Sequence, residues 1–229
     1  TARELMRLAG TDPRIRVQRR PRNGGIVAAS NDALAMARGT FCALLDHDDE
    51  LDQGALFEIA RMLNVHPELD LVFSDEEKLD EDGVLCAPAF KAAFAPDLLT
   101  AGNYMCHLSV YRTDLLRQLD GFREGVYGAQ DLDLVLRYVE RTDRIAHVAK
   151  PLYRWRMVAT SVATSAEAKP YAFIAGNRAI ADALTRRNRA GRVEDLRNLG
   201  TYRVHYDVPH APRTAVLVHG GDGPGARAA

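Results

Sequence analysis

Four carboxylates crowd into five residues where an apolar run ends: Ala43, Leu44 and Leu45 lead into Asp46, His47, Asp48, Asp49 and Glu50. Like charges this close repel, so the turn is stable only with its groups in water or with a cation among them. The D-x-D spacing of Asp46 and Asp48 can aim two carboxylates at one ion. Oxygen ligands of this kind suit Mg²⁺ or Mn²⁺, which can bridge a diphosphate and stabilise it as a leaving group. The bland alternative is a solvated acidic turn opening the next helix, where the N-terminal dipole favours negative charge. A second carboxylate, Asp131 in Gln130-Asp131, opens a strongly amphipathic stretch, QDLDLVLRYVE.

The elements that must position these groups alternate. Residues 26–37 carry Ile26, Ala29, Ala33 and Ala37 near one helical face. Residues 41–45 read as a central parallel strand, 53–63 as an amphipathic helix and 70–74 as a further buried strand. Helix, strand, helix, strand argues for an α/β domain with a mostly parallel sheet, in which ligands bind at the carboxyl ends of strands. Further along, strands are expected at 15–18, within 84–94, at 106–111, at 145–148 and 152–155 about Pro151, and at 201–208. Helices are expected at 2–9, 97–101, 114–119, 130–140 and 168–187.

Composition narrows the classes. The chain has 229 residues, 47 % hydrophobic and 27 % charged, with net charge −1, so no basic field argues for nucleic acid. No apolar run reaches the roughly 18 residues of a membrane span. Cys42, Cys86 and Cys106 lack CxxC spacing and read as buried thiols, not a zinc site. The sequence reads as a piece of something longer, with a linker at Pro209 and Pro212 and a Gly/Ala-rich tail.

Five segments in register carry a resemblance: NGGIVAASNDALAMARGTFCALLDHDDELD (23–52), DLVFSDEEKLDEDG (70–83), FKAAFAPDLLTAGNYMCHLSVYR (90–112), GAQDLDLVLR (128–137) and IAHVAKPLYRWR (145–156). The sequence resembles the family 2 glycosyltransferases of GT-A fold, nearest to the subgroup acting on bacterial surface polysaccharides. The resemblance implies a GT-A core over 1–160 lacking its first nucleotide-binding strands, a helix-and-strand extension over 161–208, and a linker and tail over 209–229. It implies an inverting transfer from a UDP- or dTDP-linked sugar to a glycan or lipid-linked glycan acceptor. The setting would be the cytoplasm or the inner face of the plasma membrane, with a second glycosyltransferase domain in the parent chain.

By the same resemblance Asp46 and Asp48 hold the metal, Asn31, Asp46, His47, Asp48 and Asp49 face the donor, and Asp131 is the general base. Asp75, Glu76, Gly128, Gln130 and Trp155 fall on the sugar side, Gly128 letting backbone approach the acceptor. Asn103, Tyr104 and His107 lie in an acceptor-side stretch, where His107 reads best as a core or capping residue and Lys91 as a surface lysine. Relatives carry a late histidine in Tyr-His-Trp-Arg; here Tyr153-Arg154-Trp155-Arg156 puts a guanidinium, which cannot ligate a metal, at that place. Arg154 and the nearby His147 are therefore open assignments. Two other readings keep the fold: a non-catalytic glycan- or partner-binding module, and a nucleotidyltransferase using the same carboxylates.

Overall fold

A computed structural model describes residues 2–157, 170–196, 200–208, 213 and 215. The elements in order are α1 (Ala2–Thr11), α2 (Gly25–Met36), β1 (Phe41–Ala43), β2 (Glu50–Leu51), α3 (Ala55–Val65), β3 (Leu71–Leu79), β4 (Leu85–Ala89), α4 (Pro96–Ala101), β5 (Ser109–Arg112), α5 (Thr113–Gln118), α6 (Gln130–Tyr138), β6 (Ile145–Arg156), α7 (Pro170–Arg186), β7 (Gly191–Asp195) and β8 (Tyr202–Tyr206).

The sheet is mixed. Its order is β1-β5-β3-β6-β2, with β4 on β3, and only β3 and β6 pair in parallel. The expected mostly parallel sheet is corrected by β5, which lies antiparallel between β1 and β3. The run at 41–45 is thus no central strand. It keeps three paired residues at the edge of the described sheet, half-buried, because its carboxyl end must leave for the acidic turn.

Continuous apolar character made β3 visible, and Leu71, Val72 and Phe73 are fully buried. Its polar continuation through Ser74, Asp75 and Glu76 is buried too, because β6 runs beside its whole length. The two strands expected about Pro151 are one strand, β6, and a register shift opposite Ser74 and Asp75 absorbs the proline's missing N–H. Residues 15–18 form no strand, having no partner among the described residues.

Two apolar clusters flank the sheet. The larger joins α6, α7 and the buried Tyr202 of β8, so the expected extension shares the core of the preceding residues. The smaller packs α3 against β3, β5 and β6 through Ala55, Ile59, Val72 and Tyr153. A buried carboxylate, Asp70, locks the far end of β3: it accepts bonds from Arg112 Nε (2.7 Å), Thr142 Oγ1 (2.6 Å) and Arg144 (2.7 and 2.9 Å). The stretch expected as linker and tail falls outside the described residues except for 213 and 215.

Candidate functional site

Beyond β1 the chain turns through residues 46–49 and returns as β2, which pairs with the end of β6. Tyr153 of β6, wholly buried, organises this turn. Its hydroxyl donates to Asp49 Oδ2 at 2.6 Å and accepts from the Asp46 amide at 3.2 Å. The Arg156 amide donates to the other Asp49 oxygen at 2.8 Å, and its guanidinium Nε to the Asp48 carbonyl at 2.9 Å. Asp49 is therefore oriented through both oxygens, each keeping lone pairs for a further partner.

His107, just before β5, stacks on the Tyr153 ring with centroids 4.6 Å apart. Its amide donates to Glu76 Oε2 at 2.5 Å, and Lys91 Nζ bonds both Glu76 (3.0 Å) and the His107 carbonyl (2.5 Å). Ligand atoms of Asp46, Asp49 and His107 all lie within 4.8 Å of one another. The Asp46 carboxyl is held above its ordinary value, first by lost solvent, against His107, and further by the charges of Asp49, Asp131 and Asp48. A concentration of negative charge around an imidazole, with one carboxylate, Asp49, held in orientation, is a chemical fit for a divalent cation.

Asp131 sits in the first turn of α6, near enough for its charge to act on Asp46. Asn103 Nδ2 donates to its Oδ2 at 3.0 Å. Gln130 beside it folds back to accept from the Gly128 amide at 2.8 Å. Gly128 has φ +87°, and an added Cβ would come within 2.6 Å of Ala172 Cβ. Its need for glycine arises from a left-handed turn under α7.

The other expected residues divide. Trp155 lies near the site, edge-on to His107 at 6.1 Å with Lys78 Nζ 5.4 Å above its ring. Asp75 is buried, accepting from the Lys91 amide at 2.8 Å and lying 2.7 Å from His147 Nε2. His147 stacks on Phe73 and belongs to this packed pair, away from the acidic turn's cluster. Glu76 supports His107. Arg154 binds Asp52 (2.8 Å) and Glu77 (3.2 Å), so its charge is spent inside the fold. Asn31 is not brought to the site: both ends of its amide clamp the Phe122 backbone at 2.8 Å. Asp48 and His47 point outward on the turn, 3.5 Å apart, and Asp48 is outside the cluster of three.

Three residues matter more in the structure than their sequence reading gave them. His107 carries no local signal of ligation, and only the β5 crossing brings it to Asp46. Lys91, expected at the surface, is 6 % exposed because Glu76 pairs with it. Tyr153 showed only as a strand position in YRWR.

Comparison with known proteins fixes the lineage. A sequence model described as "Glycosyl transferase family 2" matches residues 1–119. The chain belongs to that family. Among relatives of this glycosyltransferase family, the O-antigen biosynthesis protein RfbC of Myxococcus xanthus is 37 % identical over 217 residues, 95 % of this chain and 17 % of that protein. An uncharacterized protein, y4gI, of Sinorhizobium fredii is 45 % identical over 186 residues, 80 % of this chain and 20 % of that protein. The chain thus spans about a fifth of the length of these curated relatives. The GT-A architecture is shared with TarS of S. aureus, whose 1–349 crystal structure aligns with TM-score 0.60 at 21 % identity over 79 % of this chain and 52 % of that one. Among the described residues, no helix is long and apolar enough to cross a membrane.

Proposed function

We propose that this chain is the catalytic core of an inverting glycosyltransferase that moves a sugar from a nucleoside-diphosphate donor onto a glycan acceptor in bacterial surface polysaccharide synthesis. The observation that carries the reading is the Asp46, Asp49 and His107 cluster, whose ligand atoms lie within 4.8 Å of one another, with Asp131 in the first turn of α6 near enough for its charge to act on Asp46. Family membership and the printed role of the RfbC relative support it. So do two neighbours solved with ligands: TarS with UDP-GlcNAc, and a Pyrobaculum calidifontis mannosyltransferase with GDP-Man and Mn²⁺.

Asp46, Asp49 and His107 would hold Mg²⁺ or Mn²⁺, the imidazole nitrogen favouring the softer Mn²⁺. Such an ion supplies positive charge to the departing diphosphate. Tyr153 keeps Asp49 aimed, and Glu76 with Lys91 keeps His107 in place. Asp131 takes the proton of the acceptor hydroxyl as its oxygen bonds to the anomeric carbon and the bond from that carbon to the diphosphate oxygen breaks. Attack opposite the leaving group inverts the anomeric centre. The reading sets the reaction in the cytoplasm or at the inner face of the plasma membrane, and a second glycosyltransferase domain in the parent chain belongs to the same reading.

The test is Asp131→Asn in the full-length protein, assayed for transfer with its fold checked by circular dichroism. Loss of a general base lowers turnover by about 10²–10⁴-fold. Near-normal turnover in a folded variant would refute the role.

A further inference from the structure

The N-cap of α6 is Ala129, which has no side-chain oxygen to hold the free amides of the first turn. At the front of that turn Asn103 bonds Asp131. At its back stands a second carboxylate, Asp133. Residues two apart on a helix point to nearly opposite faces, so Asp133 enters the core while Asp131 stays half-buried.

Asp133 is 0 % exposed, and each of its oxygens meets an arginine. Oδ1 lies 2.6 Å from Arg123 Nη2, and Oδ2 accepts from Arg137 Nε at 2.8 Å. The rest of the Arg137 fork donates to the carbonyls of Leu119 (2.8 Å) and Gly121 (2.7 Å), where the loop leading to Asp131 begins. The same Arg123 nitrogen donates to Asp182 of α7 at 2.7 Å. One carboxylate thus ties the back of the first turn to the loop before it and to α7. Stability alone does not call for this arrangement. Taking charges out of water is expensive, and well-packed apolar side chains of similar volume often hold such elements together as well. What the ionic fork adds is direction, because Arg137 reaches the carboxylate and two carbonyls only in one setting of helix and loop.

We propose that Asp133, through Arg123, Arg137 and Asp182, is a positioning residue for Asp131: it fixes where α6 begins and so where the oxygens of the base stand. The proposal rests on the general-base reading of Asp131. By it α7, beyond the 1–160 core that the resemblance implies, belongs to the catalytic unit.

The test is turnover of the full-length protein, followed as UDP or dTDP release from UDP- and dTDP-linked hexoses and deoxyhexoses with surface polysaccharide as acceptor. Asp133→Asn keeps the shape and removes the charge. It lowers kcat by about tenfold or more with donor KM and Mn²⁺ affinity within about twofold of wild type, since a misplaced base slows the chemical step alone. In an Asp131→Asn background the same change has no further effect, because no base is left to aim. Asp182→Asn, at a carboxylate 35 % exposed, leaves the fold intact and acts in the same direction by a smaller factor. Hydrogen exchange read by mass spectrometry quickens across 128–133 in both variants and is unchanged in α3. An equal loss from Asp133→Asn with and without Asp131, or wild-type kcat and exchange in folded Asp133→Asn and Asp182→Asn, would overturn the proposal. If Asp133→Asn does not fold, Asp182→Asn decides alone. Turnover surviving in Asp131→Asn would sink the general-base reading, whereas a wild-type Asp182→Asn beside an inactive Asp131→Asn would sink the network and leave that reading standing.

Discussion

Tyr153→Phe removes one oxygen atom and reaches both the stability of the fold and the candidate metal cluster. The Tyr153 hydroxyl makes two bonds, a donation to the Asp49 carboxylate at 2.6 Å and an acceptance from the Asp46 amide at 3.2 Å. A hydrogen bond to a charged group contributes about 1.5–3 kcal/mol and a neutral one about 0.5–1.5 kcal/mol. The longer bond counts at the low end. The net cost is therefore about 2 kcal/mol, read as a lowered urea midpoint with unchanged slope. The ring itself stays packed, since its stacking on His107 does not need the hydroxyl. Among the described residues, Asp49's carboxylate then keeps only the Arg156 amide to orient it. Losing an outer partner of a metal ligand typically weakens metal binding about 10–100-fold. Mn²⁺ titration followed by electron paramagnetic resonance, at a urea-free condition where the variant is fully folded, measures that loss. Mn²⁺ affinity within twofold of wild type would refute the claim that Tyr153 aims a ligand.

Two further outcomes follow from packing and charge. Burial alone would raise the Asp70 carboxyl, but its bonds to Thr142, Arg144 and Arg112 hold it below its ordinary value. A depressed value adds stability that is fully present above the unfolded carboxylate range near about pH 4 and fades as pH falls through the folded value. Asp70→Asn accordingly costs about 2–3 kcal/mol at neutral pH, and the gap from wild type narrows below about pH 4; a gap constant from pH 7 to 2 in urea titrations would contradict this. Gly128→Ala combines a left-handed backbone with a Cβ 2.6 Å from Ala172. It lowers stability by about 2 kcal/mol or more, and a thermal melt unchanged from wild type would show that α7 does not press on this turn.

How far the sequence was legible differs between the fold and the site. Helices α2, α3, α6 and α7 were visible because their apolar residues recur at helical spacing, and β3 because its first residues are uniformly apolar. Strand direction was not visible, since an apolar run looks the same either way along the chain. That is why the strand expected at 106–111 was foreseen as an element while its course as β5, against β1 and β3, was not. The same crossing explains the site. Asp46 and Asp131 announce themselves by their neighbours, an apolar run and a helix start. His107 joins them only through β5, and its support comes from Glu76 and Lys91, whose burial reflects the long β3–β6 pairing. Asn31 misled for a related reason: a polar residue facing inward on a helix can serve a ligand or a neighbouring loop, and here it holds Phe122.

The measurement that bears most directly on the account is Mn²⁺ binding in the presence of UDP, compared among wild type, Asp46→Ala, Asp49→Ala, His107→Ala and Asp48→Ala of the full-length protein. The account predicts that the first three variants each weaken Mn²⁺ binding by at least about tenfold, while Asp48→Ala, outside the cluster, stays close to wild type. Loss confined to Asp46→Ala and Asp48→Ala, with His107→Ala unaffected, would contradict it and move the ion to the outer face of the turn.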